Sequence, residues 1–137
     1  MKEPAGAMKF ATRDGHRPTV LVVEDEFIIA LDLSETVRDL GFRVEGPFAD
    51  KENAFIAIDQ HMPDCAILDV KTADGEVYPL ADALAEAGVP LIFHSGHIPP
   101  DELAERYPQA QACAKPCPPD RLISMIGCAI EDGATSY

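Results

Sequence analysis

Three short stretches restrict the fold more than anything else in the chain. "TVLVV" (19–23), "CAILDV" (65–70) and "PLIFHS" (90–95) are almost continuous apolar runs rich in Val, Ile and Leu. A strand with one wet face alternates apolar and polar residues, whereas an unbroken run is covered on both faces, as in a parallel sheet between helices. The intervening segments agree. Phe27, Ala30, Leu31, Ser34 and Val37 recur at helical spacing, and Gly41 suits the position just past a helix end. Asp50 can cap a second helix containing Ala54, Phe55 and Ile58. Val77, Leu80, Ala81 and Leu84 mark a third, read as core and closed by Gly88. "PPDELAERY" opens a short fourth on prolines, and 121–130 supplies a fifth with Leu122, Ile126, Ala129 and Ile130 on one side. "FRVEG" (42–46) alternates like an edge strand, "AQACA" (110–114) completes the strands, and 71–75 reads as a loop.

Strands alternating with helices imply right-handed βαβ crossovers. The expected fold is therefore α/β, a doubly wound five-stranded parallel sheet with helices on both faces. A chain of 137 residues suits one domain. That domain is expected over 19–131, with a flexible N-terminal tail over 1–18 and a C-terminal tail over 132–137. With only "EDGATSY" after Ile130, no second domain is expected to follow.

Composition narrows the function. Net charge is −13, from 24 acids against 11 Lys and Arg, which disfavours a nucleic acid partner. Residues 1–18 carry a net +2, which leaves −15 on the remainder. No apolar run approaches the roughly 20 residues that cross a bilayer, so no membrane partner is expected. Without a signal-peptide pattern, the chain is placed in the cytoplasm. Cys65, Cys113, Cys117 and Cys128 lack zinc-site spacing and are read as buried reduced thiols. His94 and His97 have no third soft ligand nearby and are read as loop residues.

In a doubly wound sheet, ligands bind outside the carboxyl ends of the strands. Glu24 and Asp25 end the first strand, Asp69 lies at the end of the third, Ser95 follows the fourth, and Lys115 follows the fifth. If the first and third strands are neighbours, three carboxylates converge, and a hard cation such as Mg²⁺ would hold them together. Glu26 is expected to face solvent. A carboxylate in such a site can attack phosphorus and form an aspartyl phosphate. Lys115 and the Ser95 hydroxyl would then cover the phosphoryl oxygens.

The ordered set "LVVEDE", "AILDV", "FHSG" and "AKP" resembles the receiver domain of two-component response regulators over 19–131. The resemblance implies a flavodoxin-like (βα)5 fold with strand order 2-1-3-4-5. It also implies Asp69 as phosphoacceptor, Asp25 as direct metal ligand, Glu24 as a ligand through water and the Lys71 carbonyl as a backbone ligand. Ser95 matches the switch hydroxyl and Lys115 the paired lysine, with the bond to Pro116 often cis. The segment "DVKTADGEVYPLADALAEAGVPLIFHSGH" is similar to the FAT GUY subgroup, in which "FATG" stands where this chain has Phe93-His94-Ser95-Gly96. That similarity implies a histidine kinase donor of the HWE or related type. Ala112 stands where most receivers carry Tyr or Phe, so the usual ring movement is unavailable. His97 is the candidate substitute.

The reading that follows is a stand-alone phosphoacceptor module. It takes a phosphoryl group from a histidine kinase or phosphotransferase and signals to a downstream protein through the fourth helix, fifth strand and fifth helix. Its chemistry is self-catalysed transfer and hydrolysis, so it is not an enzyme in the ordinary sense. The competing class is a small Mg²⁺-dependent phosphohydrolase with an aspartyl nucleophile. Such enzymes carry an acid two residues after the nucleophile to protonate the leaving group, and here that residue is Lys71.

Overall fold

The structure, a computed structural model, describes residues 17–96 and 98–135. β1 (Thr19–Val23), β2 (Arg43–Phe48), β3 (Cys65–Leu68), β6 (Leu91–Ser95) and β7 (Gln111–Ala114) form one parallel sheet in the order β2-β1-β3-β6-β7. Counting those five alone, the order is the expected 2-1-3-4-5. Helices α1 (Phe27–Asp39), α2 (Lys51–Gln60), α3 (Tyr78–Glu86), α4 (Pro100–Arg106) and α5 (Pro119–Thr135) link and cover them. No helix among the described residues is long and apolar enough to cross a membrane.

The unbroken apolar runs are buried from both sides. Val20, Val22, Ile67 and Ile92 face one core with Leu33, Val37 and Ile126. Leu21, Val23, Leu68 and Phe93 face the other with Ala54, Leu80 and Leu84. Alternate residues thus enter opposite cores, which is why the sequence shows no polar alternation there.

Several local expectations are corrected. The buried stripe of α1 is Ala30, Leu33, Ser34 and Val37, whereas Phe27 and Leu31 are exposed. The stripe is rotated because Leu33, one residue before Ser34, takes the core-facing position expected of Leu31. The supposed loop 71–75 contributes to a small antiparallel ladder, β4 (Lys71–Thr72) with β5 (Gly75–Glu76). Asp74 folds the turn onto α2: its carboxylate accepts the Lys51 N–H at 2.8 Å and the Thr72 hydroxyl at 2.8 Å. α5 starts earlier and ends later than the 121–130 expected, taking in part of the segment read as a C-terminal tail. Residues 1–16 of the expected N-terminal tail lie outside the described residues.

Cysteine is the clearest correction. Cys113 and Cys117 form a disulfide, so the reading of four buried reduced thiols fails. Cys65 is buried and free, with burial pushing its thiol up to about 12, but Cys128 is free and exposed. The four-residue separation does not exclude a bridge, since the two Cα atoms lie 5.9 Å apart, within the usual disulfide range.

Two local features deliver the site residues. Asp50 caps α2 by accepting the Asn53 N–H at 2.8 Å, as the sequence predicts. In β2 the chain bulges opposite β1, where Gly46 has φ +103° and a Cβ would lie 2.8 Å from the Phe48 nitrogen and 2.9 Å from the Val22 oxygen. Only glycine fits there without displacing backbone. Beyond the bulge, the Phe48 carbonyl accepts the Glu24 N–H at 2.9 Å.

Candidate functional site

β1 and β3 lie side by side in register, Val23 opposite Leu68. The chain leaves both strands at the same level, and the Asp69 N–H donates to the Val23 carbonyl at 2.9 Å. Glu24, Asp25 and Asp69 therefore meet, each offering a carboxylate oxygen within 4.8 Å of the others. Glu24 and Asp69 are buried, 2% and 4% exposed, while Asp25 is open to solvent.

Lys115 comes from the end of β7, where its N–H donates to the Ser95 carbonyl at 2.9 Å. Its Nζ lies 2.8 Å from Glu24 Oε1, 3.2 Å from Asp69 Oδ2 and 3.2 Å from Glu26 Oε1. One ammonium thus serves three carboxylates, and Asp25 adds a fourth negative group nearby. Glu26 is exposed as expected, yet it also reaches the lysine, and its N–H donates to Glu24 Oε2 at 3.1 Å.

The titration shifts record the imbalance. Burial pushes the Glu24 carboxyl up to about 7 even though Lys115 and the Glu26 N–H pull it down, and Asp69 adds to the rise. For Lys115, burial opposes the charge, but the Glu24 hydrogen bond and the negative charges of Asp69 and Glu24 outweigh it and hold the ammonium well above its usual range. The two shifts point to one cause: carboxylates outnumber the cation in a partly dehydrated site. Such a set fits a hard divalent cation, since all the acidic donors are oxygen and one side is open to water.

The remaining predicted residues sort differently. Ser95 ends β6 and is buried; its Oγ accepts the Ile98 N–H at 3.1 Å. Lys71 stands two residues past Asp69, with an exposed side chain and an N–H aimed at Asp69 Oδ1 at 3.4 Å. Ala112 is half-buried opposite Phe93 and packs against the core cluster that holds Tyr107. Tyr107 lies 5.0 Å from the Phe93 ring, and its hydroxyl donates to Asp82 at 2.7 Å. His97 lies outside the described residues.

His94 is a further correction. It is not a loop residue but part of β6, 5% exposed, with Nδ1 3.9 Å from Glu24 Oε1. Burial and then the charge of Lys115 lower its pKa, so the ring is neutral. The sequence carried the signal: His94 sits inside a covered strand, two residues from Ile92, and so shares its face.

A parallel five-stranded sheet in this order, with acids at the ends of β1 and β3 and a lysine after β7, is the receiver fold. The receiver domain from Methanospirillum hungatei, described as CheY-like, superposes with a TM-score of 0.79 at 20% identity, covering 89% of this chain and all of that one. No protein-family model matches the chain. It is 32% identical over 114 residues to the transcriptional regulatory protein PdtaR of Mycobacterium tuberculosis, covering 81% of this chain and 56% of that protein. It is equally similar to the phyllosphere-induced regulator PhyR of Methylorubrum extorquens, covering 81% of this chain and 43% of PhyR. The chain thus spans about half the length of the curated relatives it matches. The receiver domain of the Erythrobacter litoralis PhyR response regulator superposes with a TM-score of 0.73 at 28% identity, covering 84% of this chain and 91% of that domain.

Proposed function

We propose that this chain is a response-regulator phosphoacceptor in which Asp69 receives a phosphoryl group. The observation that carries the reading is the meeting of Glu24, Asp25 and Asp69 within 4.8 Å beside the Lys115 ammonium. An Asp69 carboxylate oxygen attacks the donor's phosphorus, a P–O bond forms, and the bond to the donor imidazole or acyl oxygen breaks with its electron pair. Lys115, already 3.2 Å from Asp69, turns from neutralising carboxylates to holding a phosphoryl oxygen. Asp25 and Asp69, with Glu24 through water and the Lys71 carbonyl, are the residues that would hold Mg²⁺. When bound, the ion supplies charge neutralisation at the transferring group. The Ser95 hydroxyl exchanges the Ile98 N–H for a phosphoryl oxygen, which links the chemistry to the segment before α4.

The proposed donor is a histidine kinase or phosphotransferase, of the HWE or related type on the FAT GUY similarity of 93–96. Output goes by protein contact or phosphate relay, in the cytoplasm where such donors work. Incubation with acetyl phosphate and Mg²⁺ tests the reading. Stoichiometric, base-labile labelling at Asp69 is expected. Sustained turnover of phosphate esters without a labelled Asp69 would overturn it in favour of a phosphohydrolase.

A further inference from the structure

Lys115 is flanked by two cysteines, and none of the chemistry above uses them. Cys113 lies in β7, buried in the core beside Ile126 and opposite His94 in the sheet register. Cys117 follows Pro116, is half-buried, and lines a cleft of about 630 Å³ between α1 and α5 together with Glu26, His94 and Lys115. Their Cα atoms are 5.9 Å apart, within the usual disulfide range of roughly 4.4–6.8 Å, and the structure joins them. The bridge therefore closes a ring of backbone whose central residue is Lys115.

We propose that Cys113 and Cys117 are a thiol–disulfide exchange site whose oxidation state sets how firmly Lys115 is held against Glu24 and Asp69. A bridge across so short a loop removes little freedom from the unfolded chain. Its consequence is local: it pins the segment that carries the ammonium. In a reducing compartment such as the one proposed above, protein disulfides are typically transient and regulatory. The co-reactant is a small disulfide of the glutathione class. The Cys117 thiolate, accessible from the cleft, attacks one of its sulfurs and releases one small thiolate. The Cys113 thiolate then attacks the Cys117 sulfur and releases the second. The protein pair loses two electrons and two protons, and the small disulfide becomes two thiols.

The consequence for phosphoryl acceptance rests on the function proposed above; the pair itself does not. The test takes the full chain equilibrated with oxidised or reduced glutathione. Trypsin does not cut before proline, so both cysteines stay in the peptide 107–121. After oxidation that peptide should be two hydrogens lighter and refuse alkylation; after reduction it should take two alkyl groups. In ¹⁵N spectra the amides of Asp69, Ser95 and Lys115 should differ between the two forms, while those of Val20 and Ala66 stay put. Labelling of Asp69 by acetyl phosphate should be about threefold faster in the oxidised chain, because the ammonium is already placed. Cys117→Ala should keep the slower rate whatever the oxidant, and Cys128→Ser should respond like the natural chain. Full alkylation under oxidant, superimposable amides at 69, 95 and 115, or equal rates in the two forms would each overturn the proposal. If Cys117→Ala does not fold, the two forms of the unsubstituted chain still decide. If neither form is labelled, the proposed function fails while the alkylation and amide results still judge this site.

Discussion

The two ends of the sheet handle polar groups in opposite ways. At the amino end, Thr19 donates its N–H to the Asp64 carboxylate at 2.8 Å, while the Thr19 carbonyl accepts the Asp64 N–H at 2.8 Å. Arg43 donates to the Pro18 carbonyl at 2.8 Å and Ala66 to that of Pro90 at 3.0 Å, so these strand-end groups are matched locally. At the carboxyl end, two buried carboxylates and two exposed ones face a single ammonium. The first arrangement satisfies the backbone and closes the fold. The second leaves negative charge that another cation and a phosphoryl group can use, and the folded state bears that cost until they arrive.

The sharpest way to break this contrast is Asp69→Asn. Labelling by acetyl phosphate should vanish, while removal of one buried carboxylate should raise the urea midpoint of the metal-free chain. Labelling that survives elsewhere would show that the site is not built around Asp69. Next in size, Lys115→Met should slow labelling about a hundredfold, the usual scale for losing one positioned electrostatic group. It should also destabilise the chain by about 3 kcal/mol in denaturant titrations, because Glu24 would lose its cation. A rate within twofold of the natural chain would remove the lysine from the chemistry.

A smaller effect follows from Glu24. Its folded pKa, about 7, lies above the ordinary value of 4.5, so in the window between them the folded chain holds a proton that the unfolded chain releases. The stability this group contributes is present below that window and lost as pH rises through about 7. Metal-free denaturant midpoints should therefore fall between pH 5 and pH 8 more in the natural chain than in Glu24→Gln. Mg²⁺ binding, followed by calorimetry, should weaken on acidification across the same window. The least effect belongs to the amino end: Asp64→Ala should lower stability by about 1 kcal/mol, one partly buried hydrogen bond, and leave labelling unchanged. A changed labelling rate there would mean that the two ends are coupled.

Much of this organisation was legible because it depends on patterns with a fixed period. Unbroken runs at β1, β3 and β6 announced strands covered on both sides, and Asp50 and Gly41 marked helix ends by chemistry that acts within a few residues. Glu24, Asp25, Asp69 and Lys115 could be gathered because each follows a strand, and strand ends meet on one edge. The rotated face of α1 was not legible, since Phe27, Leu31 and Leu33 are equally apolar and only the packed neighbours choose among them. The hairpin at 71–76 escaped because its ladder is two residues long and rests on Asp74 bonding across to α2.

By itself the sequence determined the alternation of strands and helices and the edge where the acids gather, because periodicity and strand order carry that information. The tertiary structure alone decided that Lys115 bridges Glu24, Asp69 and Glu26, that His94 Nδ1 comes within 3.9 Å of Glu24 Oε1, and that Cys113 is joined to Cys117. Those are matters of distance between atoms far apart in the chain or folded back by a single bend, and no local pattern of residue types encodes a distance.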